Sequence, residues 1–479
     1  MGGFSDYDQY DGLGLAELVR RGDTSPSELL EEAIERTERV NGTLNAVTLK
    51  HYDEARAAIE AGLPEGPFTG VPFLLKDLHL LMQGTETTSG SGMWRGELAD
   101  YDSTLVSRYK AAGLVTFGKT NSPELGLMPV TEPTRHGPSR NPWDPDRTPG
   151  GSSGGASAAV AAGIVPMANA SDGGGSIRIP ASCTGLVGLK PSRGRTPFGP
   201  VKGEGWAGQS ISHVVSRSVR DSAAILDATT GPEAGDPYAA PHFDGTFLDE
   251  VGREPGHLRI AVSPEKWGAG DFHPEVREAL DRTVQSLTDL GHHVEEAQPA
   301  CDWDAVGEAL FTIVSTNTAL SARLRAEELG CSVAELDMED TTREMIATAA
   351  GVDGATYCRA VLNNQAAGRA LGRFYQSYDL ILGPTLSSEP VPVGHLTEAA
   401  DPDQYMQRLL AFMGDTGLFN QTGLPSISLP LQWSTAGLPI GMMFSAAFGE
   451  DALLLRLAGQ LEKADPWFDR RAPIYAGAI

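Results

Sequence analysis

Basic residues are scarce in this chain. Its 479 residues hold 37 Lys and Arg against 63 Asp and Glu, a formal charge of −26. A nucleic-acid binder needs a basic face to displace counterions from phosphate, so that class is excluded. Docking on an anionic membrane surface is excluded for the same reason. Cysteine is rarer still. Cys183, Cys301, Cys331 and Cys358 show neither paired nor metal-type spacing, which argues against a disulfide framework or a thiolate metal site. They read as reduced thiols of a cytoplasmic protein. Long apolar runs are also missing. The most apolar stretch, 156–170, is short, Ala-rich and broken by Pro166, and it cannot span a bilayer. The start, MGGFSDYDQYDG, is acidic and polar, unlike a secretory leader, and Asp6 stands where a myristoylation site has Ser or Thr. What is present is ordinary for a globular protein, with 41% hydrophobic and 21% charged residues.

Residues 14–62 read as helical, with Thr24 or Ser25 capping a helix that starts at Pro26. Short apolar runs predict strands at 71–75, 114–117, 164–168, 258–262, 293–297, 379–382 and 426–429. Helices are predicted over 103–112, 154–163, 274–290 and 451–461. This alternation predicts an α/β protein with a mostly parallel sheet. No repeat or linker divides the chain, so 1–479 reads as one domain with a helical N-terminal region, 1–65. Segments at about 230–256 and 305–410, the latter helical to 375, read as elaborations on the core. Residues 131–151 form a long Pro- and Gly-rich loop, and loops of that length are usually functional.

Some motifs mislead. Gly113-Leu-Val-Thr-Phe-Gly118-Lys119-Thr120 matches a phosphate loop literally, but a helix precedes it and its middle is β-branched and aromatic, so it reads as helix, Gly cap and strand. Ser263-Pro-Glu-Lys266 matches the S-x-x-K of penicillin-binding enzymes without the partner motifs. His292 and His293 are adjacent on a strand and point to opposite faces, a poor chelate.

Three segments carry chemistry. Gly150-Gly-Ser152-Ser153-Gly-Gly155 reads as a flexible loop or as a nucleophile elbow. The elbow needs a preceding strand and a later acid and His, and no strand precedes Ser152. Serine recurs 24 residues later at Ser176, inside Ser171-Asp172-Gly173-Gly174-Gly175-Ser176-Ile-Arg178. Glycines before a serine let backbone N–H groups converge on one point, as an oxyanion hole requires. Lys76 ends the apolar run Val71-Pro-Phe-Leu-Leu-Lys76-Asp77. A buried lysine must be neutral or paired, and Asp77 offers the plain alternative of an ion pair.

Together these segments resemble the amidase signature family. The resemblance extends over nearly the whole chain and includes Gly118-Lys-Thr-Asn121, Gly185-Leu-Val-Gly-Leu-Lys-Pro191, Asn420-Gln-Thr-Gly-Leu-Pro425 and Gly437-Leu-Pro-Ile-Gly441. It implies a single domain built on one large twisted mixed β-sheet covered by helices. It implies that Ser176 is the nucleophile, that Ser152, after a cis peptide bond, is a bridging serine, and that Lys76 is the base. The N–H groups of Gly173, Gly174, Gly175 and Ser176 would form the oxyanion hole. Ser153 and Ser171 would support the network, and Asp172 and Arg178 would fix the glycine loop. No metal, nucleotide or other cofactor is expected.

The pattern, with Val130-Thr-Glu-Pro133, is most similar to hydrolases of nylon oligomers, close to aryl-amide and carbamate hydrolases. Small linear or cyclic amides are therefore the expected substrates. The alternative is a glutaminase-type subunit of an amidotransferase complex. That branch carries Ser-Leu-Asp-Gln where this chain reads Gln209-Ser-Ile-Ser-His213. Relatives imply a homodimer. Substrate walls are expected from the loop before Ser152 and from 311–317, with Asn317 facing substrate.

Overall fold

The computed structural model describes residues 4, 6–263, 265–267, 270–397 and 401–477. Met1, Gly2 and Pro264, which belong to two of the motifs weighed above, lie outside the described residues.

Strands β1 (Val47–Lys50), β2 (Pro72–Lys76) and β3 (Val115–Thr120) form a small sheet in the order β1-β3-β2. The main sheet has eight strands: β4 (Met167–Asp172), β5 (Val187–Lys190), β6 (Ile211–Ser216), β7 (Arg259–Val262), β8 (His293–Glu296), β9 (Leu380–Pro384), β10 (Ser426–Trp433) and β11 (Pro439–Ala446). Its order is β4-β6-β5-β10-β11-β9-β7-β8. The sheet is mixed and wrapped by helices, as the family resemblance implied. It is not mostly parallel, as the alternation predicted. Only β9-β7 and β7-β8 pair in parallel; the other five neighbouring pairs are antiparallel. Helix Pro274–Asp289 gives β7 and β8 a crossover, which parallel pairing needs. β10 and β11 are instead a hairpin through a turn at Gly437, φ +78.

The helical N-terminal region also needs correction. Helix Pro26–Leu44 starts with Ser25 and Glu28 in a reciprocal capping box. It ends at Asn45, φ 48, and the chain then enters β1 before helix Tyr52–Glu60. The strand expected at 164–168 begins later, at Met167, because Gly163 (φ +72) closes the preceding helix.

Two cores flank the functional elements. Helices Val219–Thr229, Pro274–Asp289 and Asp451–Ala464 pack on β5, β7, β9, β10 and β11. The second core joins helix Pro26–Leu44, β3, β4 and the Ala-rich helix Gly154–Ala161. That last helix is buried on every side, which explains why it is apolar all round. A Cβ on Gly155 would stand 2.4 Å from Asn121 N and 2.7 Å from Ala46 O, so only glycine allows this helix its close seat.

The phosphate-loop mimic is helix Thr104–Ala111, Gly113 at φ +87, then β3. Lys119 is buried, and its amine donates to Glu86 O at 2.7 Å and to Thr87. His292 is buried between Leu258 N–H and Gln460 while His293 is exposed. Among the described residues no helix is long and apolar enough to cross a membrane, and no three His, Cys, Asp or Glu stand where they could hold a metal ion.

Candidate active site

β2 runs through apolar core and delivers Lys76 at its C-terminal end, fully buried. The Lys76 N–H donates to Asn169 Oδ1 at 3.2 Å, which ties β2 to β4. The amine lies 2.7 Å from Ser152 Oγ and 3.0 Å from Ser171 Oγ. The ion pair with Asp77 does not form. Successive strand residues face opposite sides, and Asp77 accepts from Thr88 N–H at 2.7 Å and from the Thr88 hydroxyl. Burial pushes the Lys76 pKa down to about 7, against a smaller upward pull from Asp172.

Ser152 follows a cis peptide bond from Gly151 and precedes the Ala-rich helix. Gly126 makes room for it, since a Cβ there would lie 3.2 Å from Ser152 Oγ. Ser153 turns the other way. Its hydroxyl donates to Ser171 O at 3.2 Å and accepts from Ser171 N–H at 3.3 Å. Ser153 thus holds the strand that presents Ser171 to Lys76.

The glycine loop hangs from Asp172. Its carboxylate accepts from Gly175 N–H (2.7 Å), Ile177 N–H (3.1 Å), Arg178 Nε (3.0 Å), Arg178 Nη2 (2.9 Å) and Asn420 Nδ2 (2.8 Å). Although burial opposes the charge, Arg178 leads the groups that hold this carboxyl well below its usual range. Gly175, at φ +134, could bear no side chain: a Cβ would lie 2.4 Å from Thr416 Oγ1. The Thr416 hydroxyl donates to Gly174 O at 2.7 Å.

One residue of the expected oxyanion hole is otherwise engaged. The Gly175 N–H is taken by Asp172, whereas the N–H groups of Gly173, Gly174 and Ser176 meet no protein acceptor among the described residues. Ser176 is half-buried at the end of this loop.

Asn317 lies on helix Trp303–Leu329, half-buried, with its amide turned to its own helix at Ile313 O, 2.8 Å. Asn420 carried no assigned role in the sequence. It accepts from Arg178 Nη2 at 2.7 Å and donates to Asp172 O and Gln209 O at 3.0 and 3.1 Å. The only sequence signal for it was its place in the Asn420–Pro425 motif.

The chain belongs to the amidase family, whose model matches residues 28–455. It is an amide-cleaving hydrolase. It is 39% identical over 479 residues to a 6-aminohexanoate-cyclic-dimer hydrolase of Paenarthrobacter ureafaciens, covering 96% of each chain. A solved 6-aminohexanoate cyclic dimer hydrolase superposes with a TM-score of 0.91 at 38% identity, over 98% of this chain and 99% of that one. A bacterial aryl acylamidase of the amidase signature enzymes follows with a TM-score of 0.88 at 29% identity, over 97% and 98% of the two chains.

Proposed function

We propose that this hydrolase cleaves small linear or cyclic amides through an acyl-enzyme, with Ser176 as nucleophile, Ser152 as proton bridge and Lys76 as base and then acid. The observation that carries the reading is a fully buried amine, 2.7 Å from a serine hydroxyl and bonded to no carboxylate among the described residues. A serine hydroxyl needs a base at neutral pH. An ammonium cannot serve, but an amine whose pKa lies near 7 can accept a proton and return it.

Neutral Lys76 takes the Ser152 proton while Ser152 takes that of Ser176, and Ser176 Oγ bonds to the carbonyl carbon. Charge on the carbonyl oxygen is met by the N–H groups of Gly173, Gly174 and Ser176. The proton then travels back to the substrate nitrogen as the C–N bond breaks and the acyl-enzyme remains. Water releases the acid by the same relay. Likeness to nylon-oligomer and aryl-amide hydrolases supports amides of those kinds, or related carbamates, as substrates.

The test follows from leaving-group chemistry. An amine leaves only as its nitrogen is protonated, whereas a phenoxide needs no proton. In folded Lys76→Ala, kcat/KM for a p-nitroanilide should fall at least tenfold further than for the matching p-nitrophenyl ester. An unchanged amide-to-ester ratio would sink the relay.

A further inference from the structure

Three residues beyond Lys76, His79 has a left-handed backbone, φ +64. Leu80 N–H donates to Leu78 O at 2.7 Å, so His79 is the centre of a γ-turn of the rare and strained hand. Such strain persists where surrounding structure enforces it, commonly at functional sites. The turn keeps Leu78 and Leu80 buried on either side while His79 is exposed. Leu78 borders the site directly: a Cβ on Gly126 would meet Leu78 Cδ2 at 2.6 Å and Ser152 Oγ at 3.2 Å.

The imidazole centroid lies 5.9 Å from that of Phe198, inclined by 50°. Phe198 closes in turn on Gly205, where a Cβ would lie 2.8 Å from Phe198 Cζ. The next residue, Trp206, again has a positive φ, +53. Its ring covers Gly173, whose Cβ would lie 2.6 Å from Trp206 Cζ3. Phe198 and Trp206 are only half-buried. Three accessible rings therefore run from the strand end that holds Lys76 to the first glycine of the loop that ends in Ser176, and both ends of the run stand on left-handed backbone. Solvent reaches His79, and the protein about it, with smaller contributions from Lys202 and Lys76, lowers its pKa from the ordinary imidazole value of ~6.5. At neutral pH the ring is an uncharged flat surface.

We propose that His79, Phe198 and Trp206 form an aromatic wall at the mouth of the site, which selects amides whose substituent beside the scissile bond is flat and conjugated, such as anilides, over saturated alkyl amides. The proposal rests on the reading of Ser176, Ser152 and Lys76 as the reacting groups.

His79→Asn and His79→Gly test it, because both residues tolerate positive φ and neither carries a ring. With purified full-length protein, kcat/KM would be measured for a p-nitroanilide and for the N-butylamide of the same acid, beside the rate of Ser176 labelling by a phosphonate. Loss of a stacked ring should lower the anilide-to-butylamide ratio about 3- to 10-fold in both variants, mainly through KM. Labelling should be unchanged, and His79→Phe should restore the ratio. An unchanged ratio in both variants would overturn the wall, as would equal loss on both amides together with lost labelling, which would make the turn purely structural. Absence of Ser176 labelling in the unaltered protein would overturn the underlying reading and the wall with it.

Discussion

A buried amine bonded only to hydroxyls has reason to be neutral, and Lys76 meets that description. Its pKa, near 7 in the fold, stands against ~10.4 in an unfolded chain. Between those values the unfolded state binds the extra proton, so this group makes stability rise with pH across that window, and its destabilising effect is full below pH ~7. Lys76→Met should therefore raise Tm by a few degrees at pH 6, with the gain shrinking toward pH 10, as calorimetry across that range would show. Under the proposed relay, activity should follow the same titration. The kcat/KM of the unaltered protein should climb with pH to a plateau above about 7, and Lys76→Ala should lose that acidic limb. Ser176→Ala should abolish turnover and phosphonate labelling, while Ser152→Ala should lose roughly 10²- to 10⁴-fold; near-normal rates in Ser176→Ala would refute the assignment. These three candidates could be named from the sequence because each sits in a short motif whose composition has a chemical reason, and the fold brings Lys76 and Ser152 into contact. The engagement of the Gly175 N–H with Asp172 was not legible, since a run of glycines does not say where each amide points.

Elements position these groups by close approach, and the Ala-rich helix Gly154–Ala161 shows how narrow the tolerance is. Gly155→Ala would drive a methyl to 2.4 Å from the Asn121 backbone nitrogen. Backbone cannot step aside as a side chain does, so overpacking of ~1–3 kcal/mol is expected, visible as a lower denaturation midpoint and slower labelling of Ser176. Gly174→Ala is the contrast. Nothing lies within 4 Å of a Cβ there, so stability should hold within ~0.5 kcal/mol, and any loss should appear in turnover alone. Helices with caps were readable from sequence, as where Thr24 or Ser25 precedes Pro26, of which Ser25 is the cap. β11 was not, because it opens on Pro439 and contains Gly441, residues that ordinarily argue against a strand. Gly441 is there for packing: a Cβ would strike Ser428 Oγ and Ser182 Oγ at 2.6 and 2.7 Å. The antiparallel pairing of β4, β5 and β6 escaped for a related reason. All three strands carry Ser, Gly or Lys where an apolar run was sought.

At the scale of the molecule, the proposed reacting groups lie in the first 176 residues, but Thr416 and Asn420 clamp the glycine loop from more than 240 residues away. No sequence pattern announces a contact of that separation, which is why the clamp was invisible while the motifs were plain. Helix Trp303–Leu329 approaches the same loop differently. A Cβ on Gly417 would lie 3.2 Å from Leu310 Cδ2, and Ile313 belongs to the cluster on which Trp206 packs. Residues 310, 313 and 317 share one side of that helix, so Asn317 stands one turn beyond the contact. Clamp and helix should therefore fail in distinguishable ways. Asn420→Ala removes the amide that donates to Asp172 O and Gln209 O and accepts from Arg178, at ~1–3 kcal/mol of stability. It should slow all amides and Ser176 labelling by one common factor, because every substrate uses the same loop. Asn317→Ala removes only an amide bonded to its own helix, so stability should change by less than ~0.5 kcal/mol. Its effect should instead be unequal across cyclic and linear nylon oligomers, anilides and carbamates, with labelling by a small phosphonate unchanged. Equal losses on every substrate, accompanied by lost labelling, would move Asn317 from the substrate wall into the machinery that holds Ser176.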